Sequence, residues 1–321
     1  MQLVLDTHGV ALRRHQGSFV VILGEQSRLI SPDKITSIAV LGNAQLSSAA
    51  LRLAAESGVP IYIYHPNHGK IASKMDSPYF HNLAAVRRQQ VFFAVDVAAT
   101  QWIISLFEIK TQFQNDHLKF LKDRKPHLAK SIVQTIQNSE KGCISFKKFE
   151  KATLETARPH LMGLEGALAR AYWASIQLFF DDPTLFSGRN RRPAMDWFNV
   201  VLNYGYGMLY NLVEQACFAA GLDPQLGFLH VDDYAKPSLV FDMIEPFRAW
   251  VDRFLVELFL KTGFSEDFFE PTDHGGFSLS SNSKKWLIPA FNEYFNQRTP
   301  FNQKLLTRKT HLFRFAGLFV Y

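Results

Sequence analysis

Apolar positions along the chain follow two different rhythms. Over residues 1–75 they come in short runs, QLVLD, GVALRR, SFVVIL, RLISP and TSIAVLG, rich in Val and Ile and separated by Gly, Pro, Asp or Asn. Punctuated runs of this kind predict strands. One stretch breaks the pattern. SSAALRLAAES, Ser47 to Ser57, reads as a helix with serines to cap its N-terminus and Gly58 to end it. VPIYIYHP follows as a further strand, closed by an Asn67-His68-Gly69 turn, and KIASKM as the last.

The rhythm changes at Met75 to Asn82. Asp76-Ser77-Pro78 is rich in turn formers, so residues 76–82 are expected to link two domains. From Leu83 onward apolar residues recur at threes and fours, as in LAAVRRQQVFFAVDVAATQWIISLFEIKTQFQNDHLKFL and ALARAYWASIQLFF, the spacing of amphipathic helices. Further helices are expected over Asp196 to Ala220, Val240 to Lys261 and Lys284 to Asn296, with breaks at Asp182-Pro183, Gly221 to Pro224, Pro237 and Pro271 to Gly276. No internal repeat is evident. The expected fold is α+β: a small β-rich N-terminal domain over residues 1–75 and a larger all-α domain over 83–321.

Composition adds a direction. Of 321 residues 47% are hydrophobic and 20% charged, enough apolar material for a packed core. Lys and Arg outnumber Asp and Glu by 35 to 29, a net charge of +6. A basic balance speaks about partners rather than fold, and leans toward nucleic acid or an acidic surface. The basic clusters at Lys119 to Lys130, Lys147 to Lys151, Arg189 to Arg192 and Lys304 to Arg314 lie near Phe120, Phe146, Phe149, Phe186 and Phe313. Cations interleaved with aromatics suit a phosphate backbone and its bases. The two cysteines, Cys143 and Cys217, form no CxxC pair, which argues against a disulfide framework and a zinc knuckle. With no signal-peptide pattern and no run near the roughly 18 apolar residues of a membrane span, the expectation is a soluble cytoplasmic protein with no membrane partner.

Three places stand out for chemistry. In LMGLEGA, Glu165 is read as starting a strongly apolar helix, flanked by Gly163 and Gly166, where it either serves the site or complements the helix dipole. In GFLH, His230 ends an apolar run as a ligand, a general base or a core residue. In FDMIEPFR, Asp242 and Glu245 are three apart and share a helix face among Leu239, Val240, Met243, Ile244 and Phe247. Two acids in so apolar a segment are costly to bury unless paired or metal-bound, and Arg248 and Arg253 are the available partners. Pro246 restricts Glu245 and places it at a helix start or kink. Oxygen, imidazole and oxygen together suit Mg²⁺ or Mn²⁺, and a divalent ion at a phosphodiester supports in-line transfer without a protein nucleophile. No GxSxG and no Gly-rich phosphate loop competes for the role. Between the first two places, Arg189, Arg191 and Arg192 form a loop suited to bidentate phosphate contacts.

Four motifs in this order, LEGALARAYW, GRNRRPAMDWFNVVLNYGYGML, GLDPQLGFLH and PSLVFDMIEPFR, with GGFSLSSNSKKWL after them, resemble the CRISPR-associated adaptation endonuclease/integrase family, Cas1. The resemblance covers nearly the whole chain. It implies Glu165, His230 and Glu245 as ligands of Mg²⁺ or Mn²⁺, with Asp242 either an acidic neighbour supporting them or an alternative ligand. It implies attack by the 3′-hydroxyl of a captured DNA fragment on a phosphodiester of the CRISPR repeat. It further implies contacts to double-stranded DNA from Arg189, Arg191, Arg192, Lys236 and Arg248, homodimerisation through the β-rich domain, and a small dimeric partner, Cas2. The chain departs from the family in Val231 to Lys236, where a Gly is missing and Asp232 and Asp233 are added. Lys236 keeps the charge. Two other classes are also open: a non-catalytic DNA-binding scaffold whose acids are held by arginines, and a helical metal hydrolase acting on a small phosphorylated substrate.

Overall fold

A computed structural model describes residues 1–65, 71–76, 83–190, 193–233, 236–272 and 275–318. The chain divides into two compact units, Met1–Asn82 and Leu83–Tyr321.

In the first unit, β1 (Gln2–Leu5), β5 (Ser37–Val40), β7 (Ile61–Tyr64) and β8 (Ile71–Met75) form one sheet. Its first three strands are parallel and β8 is antiparallel to β7. The second sheet has the order β4 (Gln26–Ile30), β3 (Ser18–Leu23), β2 (Ala11–His15), β6 (Gln45–Leu46). The β2–β3 hairpin closes through Gln16 and Gly17, both at positive φ (46° and 82°), the two-residue turn whose twist matches paired strands. Helix α1 (Ser48–Glu56) starts where the Ser47 hydroxyl accepts the Ala50 N–H. It buries Ala50, Leu53 and Ala54 with Leu5, Leu12, Phe19, Ile38 and Ile61 in one core. All four residues of β5 are buried, as expected for a central parallel strand. The turn expected at Asn67 to Gly69 and most of the expected linker lie outside the described residues.

The second unit is mostly helical, as its periodicity predicts. Its helices are α2 (Leu83–Ala94), α3 (Val97–Arg124), α4 (Ala129–Phe146), α5 (Leu154–Phe179), α6 (Trp197–Ala219), α7 (Ser238–Ile244), α8 (Arg248–Thr262), α9 (Ser281–Asn296) and α10 (Arg308–Gly317). Two short hairpins interrupt them: β9 (Phe269–Pro271) with β10 (Phe277–Leu279), and β11 (Arg298–Phe301) with β12 (Lys304–Thr307). The long helix α3 is central, packing against α4, α5, α8 and the turn between α7 and α8. The helix expected over Val240 to Lys261 is broken: Glu245–Phe247 forms a 3-10 turn between α7 and α8. Pro246, with no N–H to donate, sits in that turn. Among the described residues no single helix is long and apolar enough to cross a membrane. The pair α2 and α3 meets that test only jointly across an 88° bend, and Ile103, Leu106 and Phe107 of α3 are buried in the core.

Candidate metal centre

Glu165 lies in the middle of α5, not in its first turn. Pro159 falls inside that helix without ending it, so the helix begins well before the LMGLEGA motif. A dipole-complementing role therefore does not explain Glu165. A Cβ at Gly163 would meet open space, and one at Gly166 only the Arg170 guanidinium at 3.7 Å.

Glu165 and Glu245 meet at Lys110 of α3, a residue the sequence reading passed over. The Lys110 ammonium donates to Glu165 Oε1 and, at 2.6 Å, to Glu245 Oε2. On its other side Glu245 pairs with Arg248 Nε at 3.1 Å. Burial would raise the Glu245 carboxyl, but the charges of Arg248 and Lys110 outweigh it and hold it down to about 2. Burial likewise opposes the Lys110 ammonium, and the two carboxylates overcome it and raise its pKa. The second Arg248 contact is a hydrogen bond from Nη2 to the Tyr210 hydroxyl at 2.6 Å. Its guanidinium also lies over the Tyr206 ring, 4.9 Å from the centroid.

Asp242 does a different job. Oδ2 accepts the N–H of Phe228 (2.7 Å) and of Leu229 (3.0 Å); Oδ1 accepts the N–H of His230 (3.0 Å) and faces its Nδ1 at 2.7 Å. Oδ1 already accepts the His230 N–H and accepts from Nδ1 as well, so Nδ1 is the donor of this pair and Nε2 is the ring nitrogen turned away from Asp242. The Asp242 side chain is fully covered, while that of His230 is 34% exposed. Asp242 is thus sealed behind the histidine. The imidazole also packs edge-on to Phe241 at 5.7 Å, and its charge, when present, acts on Glu245.

The arginines expected on a DNA path are placed as follows. Arg189 is partly buried, donating to Asn199 Oδ1 at 2.8 Å and Asn203 Oδ1 at 2.9 Å beside the rings of Trp173 and Tyr206. It holds its loop against α6. Arg191 and Arg192 lie outside the described residues. Arg248 is committed to Glu245 and Tyr210, and Lys236 is exposed but bonded to Asp233. One of the acids that the sequence adds to this loop thus takes up the lysine's charge.

The donor set fits a divalent cation in kind. Two carboxylates already share one cation, and the His230 imidazole is close enough to Glu245 to act on its carboxyl. Glu165, Glu245 and Asp242 against Lys110 and Arg248 leave one net negative charge. Among the described residues no three His, Cys, Asp or Glu side chains are gathered around a single point. Lys110 holds the position between the two glutamates.

The family model described as CRISPR associated protein Cas1 matches residues 3–293. The chain belongs to the Cas1 family. A CRISPR-associated endonuclease Cas1 of Archaeoglobus fulgidus is 28% identical over 318 residues, covering 95% of this chain and 91% of the relative. Among solved structures, a casposase bound to integration product superposes with a TM-score of 0.77 at 25% identity, over 100% of this chain and 90% of that one. The fold also recurs in a Cas6-RT-Cas1–Cas2 complex, at a TM-score of 0.72 and 23% identity, over 98% of this chain and 34% of that longer one. The β-rich and helical layout read from the sequence is therefore that of Cas1 proteins.

Proposed function

We propose that this chain is a metal-dependent DNA endonuclease/integrase of CRISPR adaptation. In this reading Glu165, Glu245 and His230 hold Mg²⁺ or Mn²⁺, and the protein inserts captured DNA fragments into the CRISPR array. The observation that carries it is the meeting of Glu165 and Glu245 on one ammonium, with His230 turned by Asp242 so that Nε2 is its available nitrogen. When bound, the ion polarises the phosphodiester and lowers the cost of charge on the attacking and leaving oxygens.

The chain's own residues do the rest. Asp242 fixes the proton on Nδ1 and so keeps the imidazole a nitrogen donor. Arg248 keeps Glu245 ionised. An ion held by Glu165 and Glu245 would compete with the Lys110 ammonium for them, and a displaced ammonium would be available to the phosphate charge. The 3′-hydroxyl of the fragment attacks the repeat phosphodiester in line: one P–O bond forms, one breaks, and a new 3′-hydroxyl departs. Arg191 and Arg192 contact the DNA backbone, and Arg189 anchors their loop. The β-rich unit is the homodimer surface, Cas2 the partner, and the cytoplasm the compartment.

The test is joining of a labelled duplex with free 3′-hydroxyls to a repeat-bearing plasmid, with Mn²⁺ or EDTA, with and without Cas2. Joining that needs metal and is lost in His230→Ala supports the reading. One structural feature favours a second reading, the non-catalytic scaffold: both glutamates are already paired with cations. That reading expects DNA binding without joining under any condition.

A further inference from the structure

The segment that carries His230 belongs to no helix or strand, so its backbone groups need side-chain partners. Asp242 takes the N–H groups of Phe228, Leu229 and His230. The carbonyls on the opposite side go to one residue of α5. Arg158 donates from Nε to the Leu229 oxygen at 2.9 Å and from Nη2 to the Phe228 oxygen at 2.9 Å. Between them, two side chains satisfy three N–H groups and two carbonyls of three consecutive residues. The Phe228 ring then locks the segment, edge-on to Phe93 at 5.3 Å and to Trp102 at 5.4 Å.

Arg158 is also tied to the other side of the site. It lies seven residues before Glu165 on α5, about two turns, so both side chains leave the same face of one rigid helix roughly 10 Å apart. A planar guanidinium with parallel donors matches two successive carbonyls in a way that a lysine ammonium cannot.

The geometry points to Arg158 as a positioning residue: it fixes the distance between the imidazole of His230 and the carboxylate of Glu165 by clamping the 228–230 backbone to the helix that bears the glutamate. The inference rests on the proposed metal-binding role of Glu165, His230 and Glu245. Asp242 orients the imidazole ring; Arg158 places the segment from which it projects. Without Arg158 two buried carbonyls lose their donors, and His230 is held from one side only.

The test uses the full-length protein without DNA. Free Mn²⁺ is followed by its paramagnetic resonance signal during titration of wild type, Arg158→Met, Arg158→Lys and His230→Ala, with circular dichroism on each. Mn²⁺ affinity should fall at least tenfold in Arg158→Met and by less in Arg158→Lys, and added guanidinium at millimolar concentration should restore part of the loss in Arg158→Met. Should Arg158→Met fail to fold, the Arg158→Lys titration decides alone. Wild-type affinity in folded Arg158 variants, with affinity lost in His230→Ala, overturns this inference and leaves the metal centre standing. Unchanged affinity in His230→Ala overturns the metal centre itself.

Discussion

Nδ1 of His230 lies 2.7 Å from Oδ1 of Asp242, a carboxylate oxygen that also accepts the backbone N–H of the same histidine. One buried acid thus sets both where the histidine backbone sits and which ring nitrogen is free. Loss of such a partner behind a ligand imidazole typically costs about 10–100-fold in metal affinity or activity. Asp242→Asn should lower strand transfer by a factor in this range, measured at limiting Mn²⁺, and leave DNA binding by mobility shift unchanged. A variant as active as wild type at limiting Mn²⁺ would show that the tautomer is irrelevant to the site.

Lys110 gives the second prediction. Glu165 and Glu245 share its ammonium, so Lys110→Met leaves two neighbouring carboxylates with Arg248 alone. Breaking a buried ion pair from one side costs about 3–5 kcal/mol, and the lower figure applies because Glu165 keeps 26% of its side-chain surface exposed. Metal-free Lys110→Met should therefore unfold at lower urea concentration than wild type. It should also bind Mn²⁺ more tightly and gain more stability from it, because no ammonium competes for the glutamates. Urea titrations with Mn²⁺ and with EDTA measure both effects. A Lys110→Met protein that gains no more from Mn²⁺ than wild type does would mean the ammonium and the ion do not share a position.

The sequence and the structure agree where a local conflict marks the chain. Asp242 and Glu245 are acids in an apolar run, and Pro246 forces the turn that presents Glu245. Glu165 stands out in the sequence as the start of a helix, whereas packing carries α5 from Leu154 through Pro159, Gly163 and Gly166. Lys110 also carries a local conflict: it sits on the apolar face of α3, three residues after Phe107 and four after Leu106, where a lone charge needs a partner. The pairing of β1 with β5, residues more than thirty positions apart, leaves no local trace at all. Arg158 belongs with β1 in this respect, since its partners are the carbonyls of Phe228 and Leu229, about 70 residues away.

Gly227 opens the third prediction. A Cβ at this position would lie 2.5 Å from the His230 carbonyl oxygen and 2.5 Å from Ser238 Cβ. The space is closed by backbone and by the first residue of α7, neither of which yields easily. Gly227→Ala should destabilise the protein by about 1–3 kcal/mol, the range for overpacking a close contact. It should also reduce strand transfer beyond what the loss of folded protein explains, because the atom displaced belongs to His230, the histidine proposed to hold the ion. Activity per folded molecule, from paired urea and strand-transfer measurements, checks it.

The last prediction concerns acid. His117 of α3 lies buried beside Tyr172, whose hydroxyl donates to Asp252 Oδ2 at 2.8 Å and therefore accepts from His117 Nδ1 at 2.8 Å. Nε2 is buried and has no partner among the described residues, so a second proton there would be an unpaired buried N–H. Burial, with the charge of Arg253 adding to it, pushes the imidazole down to about 3. Between this value and the usual 6.5 the unfolded chain binds a proton that the folded chain refuses, so stability rises with pH in that window. The contribution is complete above pH 6.5 and is lost as pH falls toward 3, at about 1.4 kcal/mol per pH unit and at most about 5 kcal/mol in all. Asp252 runs the other way: burial raises its carboxyl to about 6, so its contribution grows on acidification between 6 and 3.8. His117→Gln keeps a donor for Tyr172 and removes only the titration. Subtracting its urea-derived stability from that of wild type across pH 7 to 4 cancels the Asp252 effect. The difference should move against wild type by several kcal/mol over that range, and a flat difference would mean that His117 is protonated inside the fold.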